Sequence, residues 1–440
     1  MESRPDPVSL AQAARFWLKL GFISFGGPAG QIAIMHQELV ERRRWISENR
    51  FLHALNYCML LPGPEAQQLA TYLGWLLHRT RGGIIAGGLF VLPSVFILIA
   101  LSWLYMAYGE VPAVAGLLYG IKPAVVAIVL AAAWRIGARA LKHPALWLIS
   151  VAAFCAIGLF AVPFPYVVIA AALAGALGGR FAPRVFRAGG GHGGGAPRYG
   201  PALIDDDTPT PEHARYRPRR LLAVAGVGIG LWAAALGALT LAFGWKSTFG
   251  QMAWFFTKAA LLTFGGAYAV LPYVYQAAVE NHQWLTATQM IDGLALGETT
   301  PGPLIMVVAF VGFVGGWGQA IFGAEHLFAA GAAAAIVVTF FTFLPSFLFI
   351  FAGAPLVEAT HGDLKFTAPL TGITAAVVGV VVSLAVFFAR HVFVDGTAVD
   401  WISVALAAAA LGALVRFRAG LIPVILGCGA AGLCYRLLFA

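Results

Sequence analysis

The sequence predicts an all-α polytopic membrane protein built from two homologous, inverted-topology repeats with interrupted, re-entrant helices. Three observations carry that expectation. The 440-residue chain is 60% apolar and only 11% charged, outside the range of a soluble globule. Thirteen of the 49 residues from Phe16 to Pro64 recur without gaps 239 positions later, between Phe255 and Pro303. Helix-breaking residues recur at the same places, Phe25-Gly26-Gly27 with Phe264-Gly265-Gly266 and Pro62-Gly63-Pro64 with Pro301-Gly302-Pro303. A second match, offset by 252, pairs Leu92-Pro93-Ser94 with Leu344-Pro345-Ser346.

Met1 to Leu10 contains Arg, Asp and two prolines and no signal-type apolar core. Gln12–Ser24 and Pro28–Val40 are each 13 residues; at 1.5 Å per residue they reach about 20 Å, too short to span. Joined at Gly26-Gly27-Pro28, they fit a re-entrant hairpin. Phe51–Leu61 and Glu65–His78, joined by Pro62-Gly63-Pro64, fit a second one. An alternative treats the paired half-helices as full, tilted crossings. Four longer spans come next in the first half, among them Leu89–Ala107, Val111–Trp134 and Leu146–Phe160. Their continuous apolar character argues against a β-barrel, whose strands alternate.

Arg180–Arg220 holds eight arginines among Gly and Pro, with the run Asp205-Asp206-Asp207. It reads as a flexible cytoplasmic linker with solvated aspartates. The expected organisation is a first repeat at 1–179, the linker at 180–220 and a second repeat at 221–440. The second repeat opens with one extra span, Ala223–Phe243, which supplies the unpaired crossing needed to invert the remainder of that repeat. Cys58, Cys155, Cys428 and Cys434 lie in apolar stretches without metal-ligand spacing and read as buried thiols.

The charge is uneven, with 21 of the 28 Lys and Arg residues at or before Arg220. Arg42-Arg43-Arg44 and Arg50 correspond to Asn281-His282-Gln283 and Gln289 in the second copy. Positive loops stay cytoplasmic, so corresponding loops are expected on opposite sides of the membrane. The linker arginines suit the same rule better than a nucleic-acid partner.

Breaking a helix inside lipid frees backbone groups, which is tolerated only where they meet protein or a polar cavity. Each second arm would point its N-terminus, near Pro28, Pro64, Ala267 or Pro303, at a hairpin tip. Converging N-termini favour an anion. The candidate binding residues are therefore Lys19, Ser24, Gly26, Gly27, Pro28, Gly63, Pro64 and Gln68, with Lys258, Thr263, Gly265, Gly266, Gly302 and Pro303. Lys19 and Lys258 would be counter-charges, since an intramembrane lysine costs about 2.5–3.5 kcal/mol without a cavity or partner; alternatively each snorkels to the surface. Lys122, before Pro123, is a third cation, replaced by Thr374 in the second half. Ser24 and Thr263 could bond an oxyanion or their own helix. Glu65 and Glu298 could carry a coupled proton, burial favouring the neutral acid, or could pair with Lys19 or Lys258. No Walker loop, His-Glu-x-x-His or Cys-x-x-Cys pattern is present. No enzyme activity, cofactor or metal site is expected.

These stretches also resemble the chromate ion transporter family in its long-chain, two-domain form. The resemblance rests on Phe25-Gly26-Gly27-Pro28, Glu38 through Trp45, Leu61-Pro62-Gly63-Pro64 with Gln68, and Leu92-Pro93-Ser94. In the second half it rests on Thr263-Phe264-Gly265-Gly266-Ala267-Tyr268, Trp284 and Glu298-Thr299-Thr300-Pro301-Gly302-Pro303. It covers nearly all of the chain except the linker, with departures at Gln31 and Glu65. It implies a chromate efflux transporter of the bacterial inner (plasma) membrane that confers chromate resistance, with sulfate competing and the proton motive force involved. The expected partners are chromate or a sulfate-like oxyanion and the lipid bilayer, with a homodimer as a candidate assembly. A sulfate or general oxyanion carrier is the alternative, ahead of an anion channel or an intramembrane enzyme.

Overall fold

The computed structural model describes residues 4–25, 27–186, 199–209, 211–360, 367–396 and 398–439. Helix α1 (Leu10–Ile23) starts on a capping box: the Ser9 side chain accepts from the Gln12 N–H, and the Gln12 side chain from the Ser9 N–H. It stops at Ser24. α2 (Gly27–His36) then runs into a π-helical turn, Gln37–Arg42. Trp45, just beyond, returns to the ring of Phe16 in α1, 5.5 Å between centroids. The two arms therefore fold back beside each other.

α3 (Glu48–Cys58) and α4 (Glu65–Tyr108) are separated by the Pro62-Gly63-Pro64 break. α4 is two helices: His78 and Arg79 leave helical geometry, with Arg79 at φ 57°. The pieces 65–77 and 80–108 pack antiparallel because glycines line their seam, where a Cβ on Gly74 would strike Ala86 and one on Gly87 would strike Thr71. The helices α5 (Pro112–Ala140), α6 (Pro144–Gly158) and α7 (Phe164–Phe181) come next, then one turn, α8 (Pro183–Phe186). At 15 residues α6 reaches only about 22 Å, shorter than a full crossing.

α9 (Pro218–Phe243) lies on the outside, burying only Gly228 and Leu236. The second half then repeats the order: α10 (Thr248–Leu262), α11 (Ala267–Tyr275) with a π-helical turn (Gln276–Asn281), α12 (Ala287–Thr299), a 3-10 turn (Leu304–Met306), α13 (Val307–Gly318), α14 (Leu327–Thr360), α15 (Thr367–Phe393), α16 (Trp401–Val415) and α17 (Leu421–Phe439). A two-residue β ribbon, Val394–Asp395 with Ala398–Val399, precedes α16. Among the described residues, seven helices are long and apolar enough to cross a membrane. The protein is all-α and polytopic.

Backbone geometry matches between the halves even where side chains differ. The π turns lie 239 residues apart, as do Arg44 (φ 49°) and Gln283 (φ 50°). Contacts between the halves are reciprocal, as a two-fold relation requires. Gly120 of α5 meets Gly432 of α17, while Gly372 of α15 meets Gly175 of α7, each so close that a Cβ would lie 2.8 Å from the facing Cα. Only glycine permits that approach.

Residues 199–209 and 211–217 of the linker, expected to be flexible, form a strap bound to the first half. The Leu203 and Ile204 N–H groups donate to the carbonyls of Arg44 (2.9 Å) and Trp45 (3.0 Å), and Ser47 N–H donates to Ile204 O (3.0 Å). Asp206 and Asp207 are exposed, as the solvated reading expects, and are also partnered: Asp206 accepts from Ser47 Oγ and Asn49 Nδ2, both at 2.6 Å, and Asp207 pairs with Arg4 at 2.6 Å. Arg50 donates to the Asp205 carbonyl (2.9 Å) and the Thr208 carbonyl (2.6 Å). His213 bonds the carbonyl of Trp75 at 3.0 Å, and His78 bonds that of Val8 at 2.7 Å. The outer ends of the first half's arms thus meet one strap, whose polar groups satisfy helix ends that would otherwise be orphaned. Residues 187–198 lie outside the described residues. Cys58 and Cys428 are buried as expected, but Cys434 is exposed.

Candidate functional site

The two halves cross at their helix breaks. Gly63, in the first Pro-Gly-Pro, donates its N–H to the carbonyl of Thr263 at 2.7 Å; Gly302, in the second, donates to the carbonyl of Ser24 at 2.8 Å. Ser24 and Thr263 occupy equivalent C-caps, so each Pro-Gly-Pro tip closes on the broken end of the other half's first arm. Both glycines have positive φ, 123° and 101°, which is why no Cβ-bearing residue fits these tips. The serines of the two Leu-Pro-Ser segments complete the exchange. A Cβ on Gly63 would lie 2.6 Å from Ser346 Oγ, and one on Gly302 would strike Ser94 Oγ, whose hydroxyl donates to the Pro301 carbonyl.

Around this crossing lie uncharged polar side chains that are buried. Ser24, Ser94, Thr263, Gln31, Gln68 and Ser346 are all at most 1% exposed. Gln31 Nε2 donates to the Gly302 carbonyl (2.5 Å), and Gln68 Nε2 donates to the Pro62 carbonyl (2.7 Å). Ser24 Oγ, Ser346 Oγ and the Oε1 atoms of Gln31 and Gln68 have no partner, although an unmet buried polar atom costs about 1–3 kcal/mol. The helix starts facing the breaks, at Pro64 before α4 and Gly266 before α11, lack side-chain caps. Their N–H groups and dipoles remain available to a negative ligand.

The profile of the chromate transporter family matches residues 11–176 and 250–433, a range that takes in every one of these groups. The chain belongs to the chromate transporter family. It is 34% identical to a chromate transport protein of Pseudomonas aeruginosa, covering 86% of this chain and 81% of that one. It is 30% identical to a probable chromate transport protein of Synechococcus elongatus (87% and 85%) and 29% identical to a chromate transport protein of Cupriavidus metallidurans (88% and 84%). No solved structure matches.

Within this family framework the structure brings together some of the sequence-predicted residues and separates others. Ser24, Gly63, Pro64, Gln68, Thr263, Gly302 and Pro303 meet at the crossing. Gly27, Pro28, Gly265 and Gly266 form the adjoining arm starts, with Gly27, Gly265 and Gly266 at positive φ; Gly26 lies outside the described residues. Thr263 bonds its own helix, Oγ1 to the Ala259 carbonyl at 2.6 Å, so of these two C-cap hydroxyls it is Ser24 that has no partner. Lys19 and Lys258 are exposed on the outer faces of α1 and α10. Lys258 sits 5.8 Å over the Trp254 ring and lines a cavity of about 160 Å³ with Trp245, Gln251 and His282. The lysines are therefore not brought to the crossing, because the buried stripe of α1 is Ala13, Phe16, Trp17, Leu20 and Gly21.

Glu298 is buried and accepts a hydrogen bond from Tyr268 rather than pairing with a lysine. Glu65 is half-buried at the first turn of α4. Gln31, Ser94, Ser346, Tyr268 and Asp292 are not marked as site residues by the sequence. The recurrence of Leu-Pro-Ser is the signal that could have found the two serines.

Proposed function

We propose that the protein is a secondary transporter that exports chromate across the bacterial inner membrane, and so confers chromate resistance. The observation that carries this reading is the reciprocal crossing of Gly63 on Thr263 and Gly302 on Ser24, beside the unpartnered hydroxyls of Ser24 and Ser346 and two uncapped helix starts. A tetrahedral oxyanion needs several hydrogen-bond donors and a positive field. Backbone N–H groups, uncapped helix starts, the Ser24 and Ser346 hydroxyls and the second Nε2 hydrogen of Gln68 can supply them. The names of the relatives point to chromate among such anions.

The crossing is closed and dry, so transport requires the halves to part, alternately towards each side, about the reciprocal glycine seams. In this reading residues 1–179 and 221–440 are repeats of opposite orientation, and the linker at 180–220 is cytoplasmic. Exporting a dianion from a negative-inside cell gains about 4.6 kcal/mol per 100 mV, so efflux runs with the field. Glu65 and Glu298 are candidates for a coupled proton, and Lys19 and Lys258 serve as outlying charges that concentrate the anion near each arm.

A second reading, a sulfate or general oxyanion carrier, is favoured by one feature: the donors at the crossing recognise shape and charge, which sulfate shares. Proteoliposomes loaded with chromate decide between them. Release should exceed that from empty-vesicle controls, saturate with concentration and slow with excess sulfate. Sulfate moved faster than chromate favours the second reading, and no flux of either anion rejects both.

A further inference from the structure

One charged cluster inside the spans is not used by the crossing. Asp292, on α12, is 2% exposed and faces α4 and α5 of the other half. From α4, the Tyr105 hydroxyl donates to Asp292 Oδ2 at 2.9 Å. From α5, Lys122 Nζ stands 3.7 Å from the same oxygen, with its side chain 26% exposed. From α13, Phe310 packs edge-on against the Tyr105 ring. Asp292 Oδ1 is buried without a partner. Six residues along α12, about 9 Å of rise, stands Glu298, just before the Pro-Gly-Pro tip.

We infer that Lys122 and Asp292 form a coupling pair, in which a proton on Asp292 frees Lys122 to hold the oxyanion, so that proton and oxyanion cross in the same direction. The inference rests on the oxyanion-transport reading and adds the sign of its coupling.

The charges set that sign. With Asp292 ionised, its negative charge offsets Lys122 and repels an arriving dianion. Adding a proton from water to Oδ1 makes a neutral acid. Lys122 then loses the negative charge that offset it. Anion binding is then favoured by protonation, and by linkage protonation is favoured by the bound anion. Release on the far side reverses both steps and returns the proton to water.

The geometry suits an exchangeable partner. Lys122 is beyond hydrogen-bond length and partly exposed, whereas Tyr105 keeps its bond to Oδ2. The orphaned Oδ1 is the atom free to take the proton. The second half of the repeat pair does not duplicate the cluster, because His53, Thr374 and Val357 stand at the equivalent positions of Asp292, Lys122 and Tyr105. This cluster therefore contributes one proton per dianion. The translocated unit keeps one net negative charge, so export still runs with the membrane field.

The test uses full-length protein in proteoliposomes with a pH-sensitive dye inside. The membrane potential is clamped, and the medium is alkaline so that free chromate is the dianion. Chromate entering down its gradient should acidify the lumen. In Asp292→Asn the remaining chromate flux should carry no protons and lose its pH dependence, and Asp292→Glu should restore both. Lys122→Met should lower flux by about 10- to 100-fold, the loss typical of a charged hydrogen-bond partner. Protons moving against chromate in the wild type overturn the inference, as does an Asp292→Asn protein that still carries them. Should Asp292→Asn fail to insert, the wild-type proton direction still decides. A wild-type protein that moves no oxyanion rejects the transport reading itself, and the coupling pair with it.

Discussion

At Gly302 the backbone runs at φ 101° and the space for a Cβ belongs to Ser94 Oγ; at Gly266 φ is 95° but nothing lies within 4 Å of that space. Both positions require left-handed backbone, which costs a side-chain-bearing residue about 1–2 kcal/mol, but only Gly302 adds an overpacking cost of about 1–3 kcal/mol. Gly302→Ala should therefore lower the melting temperature of the detergent-solubilised protein more than Gly266→Ala does; equal shifts would show that the crossing is loosely packed. Lys19 and Lys258 make a different case. Their recurrence marks them in the sequence, but recurrence does not say which way a side chain faces. The apolar stripe Ala13, Phe16, Trp17 and Leu20 leaves Lys19 outside it, a signal that was readable in the sequence. Lys19→Ala and Lys258→Ala should raise the half-saturating chromate concentration severalfold while keeping the maximal rate, and a collapse of the maximal rate would return them to the passage. The partners of Ser94, Ser346 and Asp292 are hidden for another reason. They lie at least 170 residues away in sequence, and only the folded chain brings them together.

The helix breaks were legible because glycine and proline act locally. Phe-Gly-Gly and Pro-Gly-Pro end and restart helices wherever they occur, and the arms stop within a few residues of the expected places. The turn at His78–Arg79 within α4 carries no such residue; the close packing of Gly74, Gly82 and Gly87 stabilises it instead. The strap was misread because composition reports solubility, not docking. Arg, Gly and Asp suit a solvated loop, yet the arm ends of the first half offer orphan backbone groups that the same residues satisfy. Burial holds His213 below the ordinary imidazole range despite its bond to the Trp75 carbonyl, and Arg220 and Arg79 push the same way. A histidine whose folded value is depressed binds more protons when released, so docking is complete above about pH 6.5 and weakens as pH falls through that value. Protease cleavage or hydrogen exchange within 199–217 should rise on acidification, and His213→Gln should blunt the rise. Protection that does not vary with pH would remove His213 from the latch.

At the scale of the whole molecule, the sequence predicted two related halves, and the exchanges between them come in converse pairs: Gly63 with Gly302, Ser346 with Ser94, Gly120 with Gly372. The proposed seating of those halves in the membrane rests on charge. Arg42 to Arg44 mark one side; Asn281 to Gln283, at the equivalent turn, lack cations. Opposed orientation is what would let two broken helix pairs meet near mid-membrane from opposite faces and open alternately around one anion. Single cysteines at Arg43 and His282, in a protein whose four native cysteines have been replaced, allow that geometry to be read with a membrane-impermeant thiol reagent in right-side-out and inverted vesicles. Labelling of the two positions from opposite sides is the predicted result. Labelling of both from the same side would contradict the inverted arrangement and the alternating passage built on it.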